Sequence, residues 1–188
     1  MTRYTVFSDL HLNSGSFEWV GDLEFGQYVI MLGDNHEMKN VRKKHEVDYI
    51  IEYDKFLKKC EETKTNVLAG NHEIAVGKGM LNVYNIMIDD NLFTHGFIIW
   101  SESKIKRWLN KGFGSSLFKV WGIRIKNGSY KPSKHKSASI SVRKKLSDYA
   151  IACKAKSITV GHMHYIWSGM HNGIRINIVG RGKTVIDI

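Results

Sequence analysis

Nine histidines among 188 residues is a high number, and most of them fall in short polar clusters. The clusters are Asp9-Leu10-His11, Gly33-Asp34-Asn35-His36-Glu37, Gly70-Asn71-His72-Glu73, His95-Gly96 and Gly161-His162-Met163-His164. In Asp9-x-His11 and His162-x-His164 the polar residues are two apart. On an extended chain such residues point the same way, so each pair can present two donors to one centre. Asp, Asn and His together make a mixed oxygen and nitrogen set with no thiolate. That set suits Mn, Fe or Zn, and Mg less well because of the imidazoles. Asp9, His11, Asp34, Asn71, His95, His162 and His164 are seven donors. One ion with an open position needs only about three or four protein ligands. Seven donors fit two ions better, especially with Asp34 as a bridge. A two-metal site clamps a phosphoryl group and activates a bridging water for in-line attack.

The elements that must position these residues can be read from the flanking pattern. Arg3–Ser8 alternates and is rich in Tyr, Thr, Val and Phe, so it reads as a strand running into Asp9. Tyr28–Leu32 is a continuous apolar run before Gly33, as expected of a buried strand. Asn66–Ala69, Asn91–Thr94 and Ser157–Val160 are short strands that end at Gly70, His95 and Gly161. Ligands of α/β folds collect beyond the carboxyl ends of strands, and glycine lets the backbone approach closely there. Further strands are predicted at Met80–Ile88, Leu117–Lys126, Ile174–Val179 and Thr184–Ile188. Helical spacing covers Lys44–Cys60, with Val47, Ile50, Ile51 and Leu57 as its apolar positions, and Ser103–Asn110. A third helix, Ser141–Lys154, carries Val142, Leu146, Tyr149, Ala150 and Cys153 on one face. Tyr130–Ser139 reads as a loop. Helices and strands alternate early and strands dominate late, which predicts an α/β domain with more than one sheet.

Singly, each cluster has an ordinary reading. Asp9-x-His11 fits an Asx turn, Gly33-Asp34 a helix cap, and His95 a structural histidine. Their joint occurrence, each at a strand end, is not ordinary. Together the clusters resemble those of the calcineurin-like metallophosphoesterase family. The matching pieces are Asp9-Leu10-His11, Gly33-Asp34, Gly70-Asn71-His72-Glu73, His95 and Gly161-His162-Met163-His164, and they run through nearly the whole chain.

The resemblance implies a four-layer α/β/β/α sandwich of two mixed sheets, with a dimetal site on loops at the strand ends. It assigns Asp9, His11 and His164 to one metal, Asn71, His95 and His162 to a second, and Asp34 to both. His72 would contact the phosphate and protonate the leaving oxygen, a role an imidazole can fill near neutral pH. Glu73 is read either as the acidic residue that orients His72 or as a helix-start carboxylate favoured by the dipole. Two divalent ions are implied, Mn first, with Fe, Zn or Ni as alternatives. Gly33-Asp34 is followed by Asn35-His36-Glu37 rather than by the Asp-Arg-Gly ending of the Ser/Thr protein phosphatases, so that activity ranks low. His36 is read as a surface loop residue or a substrate contact, the first being preferred.

Charge and length complete the picture. The net charge is +10, but residues 101–148 hold 13 Lys and Arg against two acids, and the remainder is nearly neutral. The length fits a single domain, 1–188, with a basic insertion or cap-like segment at about 101–148. That segment interleaves cations with Trp108, Phe113, Phe118, Trp121 and Tyr130. Three readings compete: a groove for nucleotide or single-stranded nucleic acid, a cap over a phosphorylated lipid at an anionic membrane, or core aromatics with a solvated basic edge. The first is preferred. His135, between Lys134 and Lys136, reads as an exposed loop residue or a contact to a distal phosphate. The leading expectation is a metal-dependent phosphodiesterase acting on a nucleotide or nucleic acid. A pyrophosphatase on a phosphorylated lipid is the alternative, and a phosphomonoesterase or a non-catalytic scaffold ranks lower. Apolar runs are too short to span a membrane, and no secretory signal is visible. Cys60 and Cys153 make no disulfide framework, and a cytoplasmic protein without an obligate protein partner is expected.

Overall fold

Strand β1 (Arg3–Ser8) sorts Tyr4 and Val6 to one side and Phe7 to the other, the period-two alternation that lets one strand serve two cores. The structure is a computed structural model that describes residues 2–12, 23–36, 46–74, 83–97, 99 and 138–188, with backbone alone at 46, 73 and 74. β2 (Val29–Met31) and β3 (Asn66–Val67) extend β1 in parallel, and β9 (Gly182–Asp187) pairs antiparallel on its other side, giving the order β3-β2-β1-β9.

A second sheet has the order β4-β5-β6-β8-β7. Its members are β4 (Asn85–Ile88), β5 (Asn91–Thr94), β6 (Ser157–Val160), β7 (Trp167–His171) and β8 (Ile174–Ile178). β5, β6 and β8 run parallel, and β4 and β7 close the two edges antiparallel.

Three apolar clusters define the layers. Tyr4, Val6, Ile30, Leu32, Leu68, Phe93 and Val179 join the inner faces of the sheets. Phe7, Val29 and Met31 turn outward against helix α1 (Glu46–Glu62), which supplies Tyr53, Phe56 and Cys60. Leu92, Ile158, Val160, Ile176 and Ile178 turn outward against the helix at Ile140–Ala152, which supplies Leu146 and Ala150. The result is the four-layer α/β/β/α arrangement expected from the resemblance.

The last helix is α3 by chain order, after the short α2 (Asn71–Ile74). Its start is set by Ser139, whose hydroxyl accepts from the Val142 N–H at 3.3 Å. Val142, Tyr149 and Cys153 pack beside its buried residues, as the periodicity predicted.

Two expectations need correction. α1 exists, but Val47 and Ile51 are exposed, and the buried stripe is Tyr49, Tyr53, Phe56 and Cys60. Aromatic rings bury more apolar area than the aliphatic side chains chosen from sequence, and they determine which face turns inward. β7 was not anticipated. Its signal was the Asn172-Gly173 pair, both at positive φ, which makes the two-residue turn into β8. The helix predicted at Ser103–Asn110, the strand at Leu117–Lys126, His135 and most of the 101–148 segment lie outside the described residues. Among the described residues no helix is long and apolar enough to cross a membrane. Cys60 is buried and Cys153 half-buried, both as free thiols, and burial pushes the Cys60 thiol up to about 12.

Candidate metal centre

The parallel strands place their carboxyl ends together, and the polar clusters follow from those ends: Asp9 after β1, Asp34 after β2, Asn71 after β3, His95 after β5 and His162 after β6. Asp9, Asp34 and His95 are buried. The local backbone is unusual. Asp9, His11, Asp34, His162 and His164 all have φ between 48° and 65°, and they are half of the ten non-glycine residues with positive φ among the described ones. Left-handed backbone costs on the order of 1 kcal/mol or more per residue, and such strain gathers at functional sites. It also changes the reading of the two-apart pairs. Kinks at the strand ends, rather than a pleat, aim these side chains.

The consequence is a split. Ligand atoms of Asp9, His11 and His164 lie within 4.8 Å of one another, and so do those of Asp9, Asp34, His95 and His162. Asp9 and His11 thus share one centre, as the spacing suggested, whereas His162 and His164 serve different ones. A third group joins His11, Asp34 and His72. Asp9 and Asp34 each belong to a group with His95 and to a group with His11, so both carboxylates stand between the two sides.

Each carboxylate is oriented through one oxygen. Asp9 Oδ2 accepts from the His162 backbone N–H at 2.9 Å and from the Ser8 hydroxyl, leaving Oδ1 facing His164 Nε2 at 3.1 Å. Asp34 Oδ1 accepts from the His72 backbone N–H at 2.8 Å, leaving Oδ2 facing His95 Nε2 at 3.2 Å. Such outer bonds fix ligand direction and raise ligand quality.

His95 tests whether a metal fits. Its Nδ1 lies 3.2 Å from the Leu32 carbonyl oxygen, which can only accept, so Nδ1 carries the proton. In the neutral ring, the form a metal would bind, Nε2 is then a lone pair, whereas without a metal a proton there gives His95 the charge that acts on its neighbours. Around Nε2 stand Asp34 Oδ2 at 3.2 Å, Asn71 Oδ1 at 3.3 Å and His162 Nδ1 at 3.1 Å. Electron-pair donors crowded this closely in a buried place repel one another unless a cation or proton sits among them. The residues fit a divalent metal, with imidazole, carboxylate and amide donors and no sulfur.

His72 lies at the rim. Its ring is edge-on to His11 at 4.7 Å between centroids, and its Nε2 is 3.8 Å from Asp34 Oδ2. Glu73 falls in α2, and its side chain is outside the described atoms. His36 is neither a surface residue nor a rim residue. It is fully buried, packed on Tyr53 at 3.9 Å between centroids and on Phe56 at 5.1 Å.

Electrostatics follow from this burial. Burial raises the Asp9 and Asp34 carboxyls, but it is outweighed: for Asp9 mainly by the bond with His164 and the charge of His95, for Asp34 mainly by the bond with and charge of His95. Both carboxyls lie below the usual range. Burial, with the charge of His95, pushes the His162 ring down to about 4, and burial alone pushes His36 down to about 3.

These shifts share one sign. As pH falls below about 6.5, unfolded chains take up protons on these imidazoles before the folded protein does, so stability drains away between about 6.5 and 4. The carboxylate contributions are lost lower still, as pH falls through the depressed carboxyl values. Chelator-treated protein is therefore expected to lose on the order of a few kcal/mol between pH 7 and pH 5, read as a falling melting temperature. A flat profile over that range would show that the histidines are not held neutral by burial.

The sequence matches no family model and no curated protein. Among solved structures the chain is similar to a predicted phosphoesterase of Streptococcus pneumoniae, at 16% identity over 100% of this chain and 85% of that chain, with a TM-score of 0.45. It is similar to vacuolar protein sorting 29 of Cryptosporidium parvum, at 13% identity over 95% and 74%, with a TM-score of 0.47. It is also similar to a cold-active protein-tyrosine phosphatase of a psychrophilic Shewanella, at 15% identity over 94% and 70%, with a TM-score of 0.44. These likenesses are distant, and the functional reading rests on the residues of the site.

Proposed function

We propose that this protein is a metal-dependent phosphoesterase that holds two divalent ions, with a phosphodiester of nucleotide or nucleic-acid type as substrate. The observation that carries the reading is the set of oxygen and nitrogen atoms around His95 Nε2, linked through Asp9 and Asp34 to the side of His11 and His164. Asp9, His11 and His164 would hold one ion and Asn71, His95 and His162 the other, with Asp34 shared. When bound, such ions supply Lewis-acid stabilisation of phosphoryl oxygens and a nucleophile at neutral pH.

The chain's own residues do the rest. His72 stands at the mouth of the Asp34 group, part-exposed, where a leaving oxygen can accept its proton. Backbone N–H groups of His72 and His162 hold Asp34 and Asp9 in line, so neither carboxylate has to reorient during turnover. Diester preference is supported by the excess of cations interleaved with aromatics in residues 101–148, the composition that tracks phosphates and stacks bases. Mn is the preferred ion, and the free thiols suit a reducing, cytoplasmic setting.

The test is hydrolysis of a panel of phosphomonoesters, diesters, cyclic nucleotides, oligonucleotides and lipid pyrophosphates by Mn-loaded protein. Turnover of bis(p-nitrophenyl) phosphate and oligonucleotides is expected, and His72→Ala should lower it by about 10²-fold. Absence of turnover on every phosphate ester would overturn the reading, and lipid pyrophosphate as the best substrate would replace the diester.

A further inference from the structure

We propose that His36 and Tyr49 form a positioning clamp that holds the His11 loop against the Asp34 loop at the separation metal binding needs; the inference rests on the metal-centre reading above. Beyond the ends of β1 and β2 the two loops stay joined. The Asp9 N–H donates to Gly33 O at 3.1 Å, His11 N–H to Asp34 O at 2.9 Å and Leu12 N–H to Asn35 O at 2.9 Å. Leu12 and His36 end this run as an isolated parallel bridge. At that end the Tyr49 hydroxyl donates to the Leu12 carbonyl at 2.9 Å. Its single proton is thereby used, so its oxygen accepts from His36 Nδ1–H at 3.0 Å. One hydroxyl thus touches the residue after His11 on one loop and the residue two after Asp34 on the other. Tyr49 itself belongs to the 17-residue helix α1, so the tie is anchored to a rigid element.

Packing alone does not account for these polar groups. His36 is fully buried and Tyr49 is 1% exposed, and the pocket wall is Tyr53 and Phe56. A phenylalanine or leucine would fill such a pocket without desolvating an imidazole. A clamp, in contrast, needs a donor at His36 and a hydroxyl at Tyr49. It also has something to restrain, because His11 and Asp34 both sit in left-handed backbone that relaxes once its surroundings loosen. Neither residue touches substrate or metal; both act through the loops they join.

The experiment is a calorimetric Mn²⁺ titration of the chelator-stripped full chain, below the melting temperature of every variant. Tyr49→Phe keeps the ring and removes one oxygen, and it is expected to weaken Mn²⁺ binding by roughly 10–100-fold, as loss of an outer partner of a metal ligand does. Tyr53→Phe removes a hydroxyl one turn further along the same buried stripe and should leave the affinity unchanged. His36→Asn, which retains an N–H near the Nδ1 position, should keep more affinity than His36→Leu. Wild-type affinity in Tyr49→Phe would overturn the clamp, as would equal losses in Tyr49→Phe and Tyr53→Phe. A wild-type protein that binds neither Mn²⁺ nor Zn²⁺ would overturn the metal centre itself, and the clamp with it.

Discussion

Asp34→Asn is expected to lower the proposed phosphoesterase activity by on the order of 10³-fold while leaving the metal-free protein folded. The substitution is isosteric. The new side-chain amide would still accept the His72 backbone N–H through its one oxygen, so the turn after β2 keeps its bond. What changes is the atom facing His95 Nε2 at 3.2 Å. In the wild type it is an anionic oxygen among other lone pairs; in the variant an amide N–H can point there and satisfy that lone pair without a cation. The metal-free variant loses the contribution of the depressed Asp34 carboxyl, and the new N–H toward His95 offsets part of that loss, so it should melt slightly lower than wild type. Metal binding should fall far more. Asp34, like Asp9, lies in a group with His95 and in a group with His11, so its charge acts at both sides. Calorimetric Mn²⁺ titration with melting curves reads both effects. Wild-type affinity in Asp34→Asn would remove Asp34 from the bridging role.

Gly70→Ala and Gly33→Ala are expected to destabilise the fold by about 3 kcal/mol or more each and to abolish metal binding. The two glycines meet face to face. A Cβ on Gly70 would run into the Asp34 backbone nitrogen and carboxylate, with Asp34 Cγ at 2.8 Å. A Cβ on Gly33 would lie 2.7 Å from the Gly70 nitrogen and 2.9 Å from His95 Cβ. The Asp34 nitrogen, the Gly70 nitrogen and His95 Cβ are backbone or stem atoms, so turning the Asp34 carboxylate aside would not make room for either methyl. Gly33 also has φ of 100°, which a side chain resists whatever the space. Relief requires parting the Asp34 loop from Asn71 and His95, the separation the metal centre cannot tolerate. The double variant should cost less than the sum of the singles, because both open the same gap. Urea unfolding and Mn²⁺ titration read the result, and a Gly70→Ala protein within about 1 kcal/mol of wild type would mean the loops are not packed as described.

Strand positions were legible because they depend on local composition. Arg3–Ser8, Asn91–Thr94 and Ser157–Val160 have the bounds that alternation and apolar runs suggested. Type and spacing marked the seven candidate donors and His72, and the structure brings these side chains to one end of the sheets. The buried face of α1 was not legible from aliphatic spacing, since aromatic residues on an adjacent stripe had more area to bury. β7 was overlooked because Trp167–His171 contains Gly169 and two polar residues, and only its turn announced it.

The sequence by itself marked the oxygen- and nitrogen-bearing side chains of the candidate site and determined that positive charge is concentrated in residues 101–148. Tertiary structure alone decided how the donors are shared out. His162 and His164, adjacent but one in the chain, go to different groups because the backbone turns left-handed between extended segments, and that turn is held by bonds to Asp9 from another strand end. Tertiary structure also decided the fate of His36. Its neighbours in sequence are polar and suggest a surface loop. Its neighbours in space are Tyr49, Tyr53 and Phe56 of α1, which close over it. Spacing along a chain reports type and order, whereas burial and direction depend on what a distant segment brings to the same place.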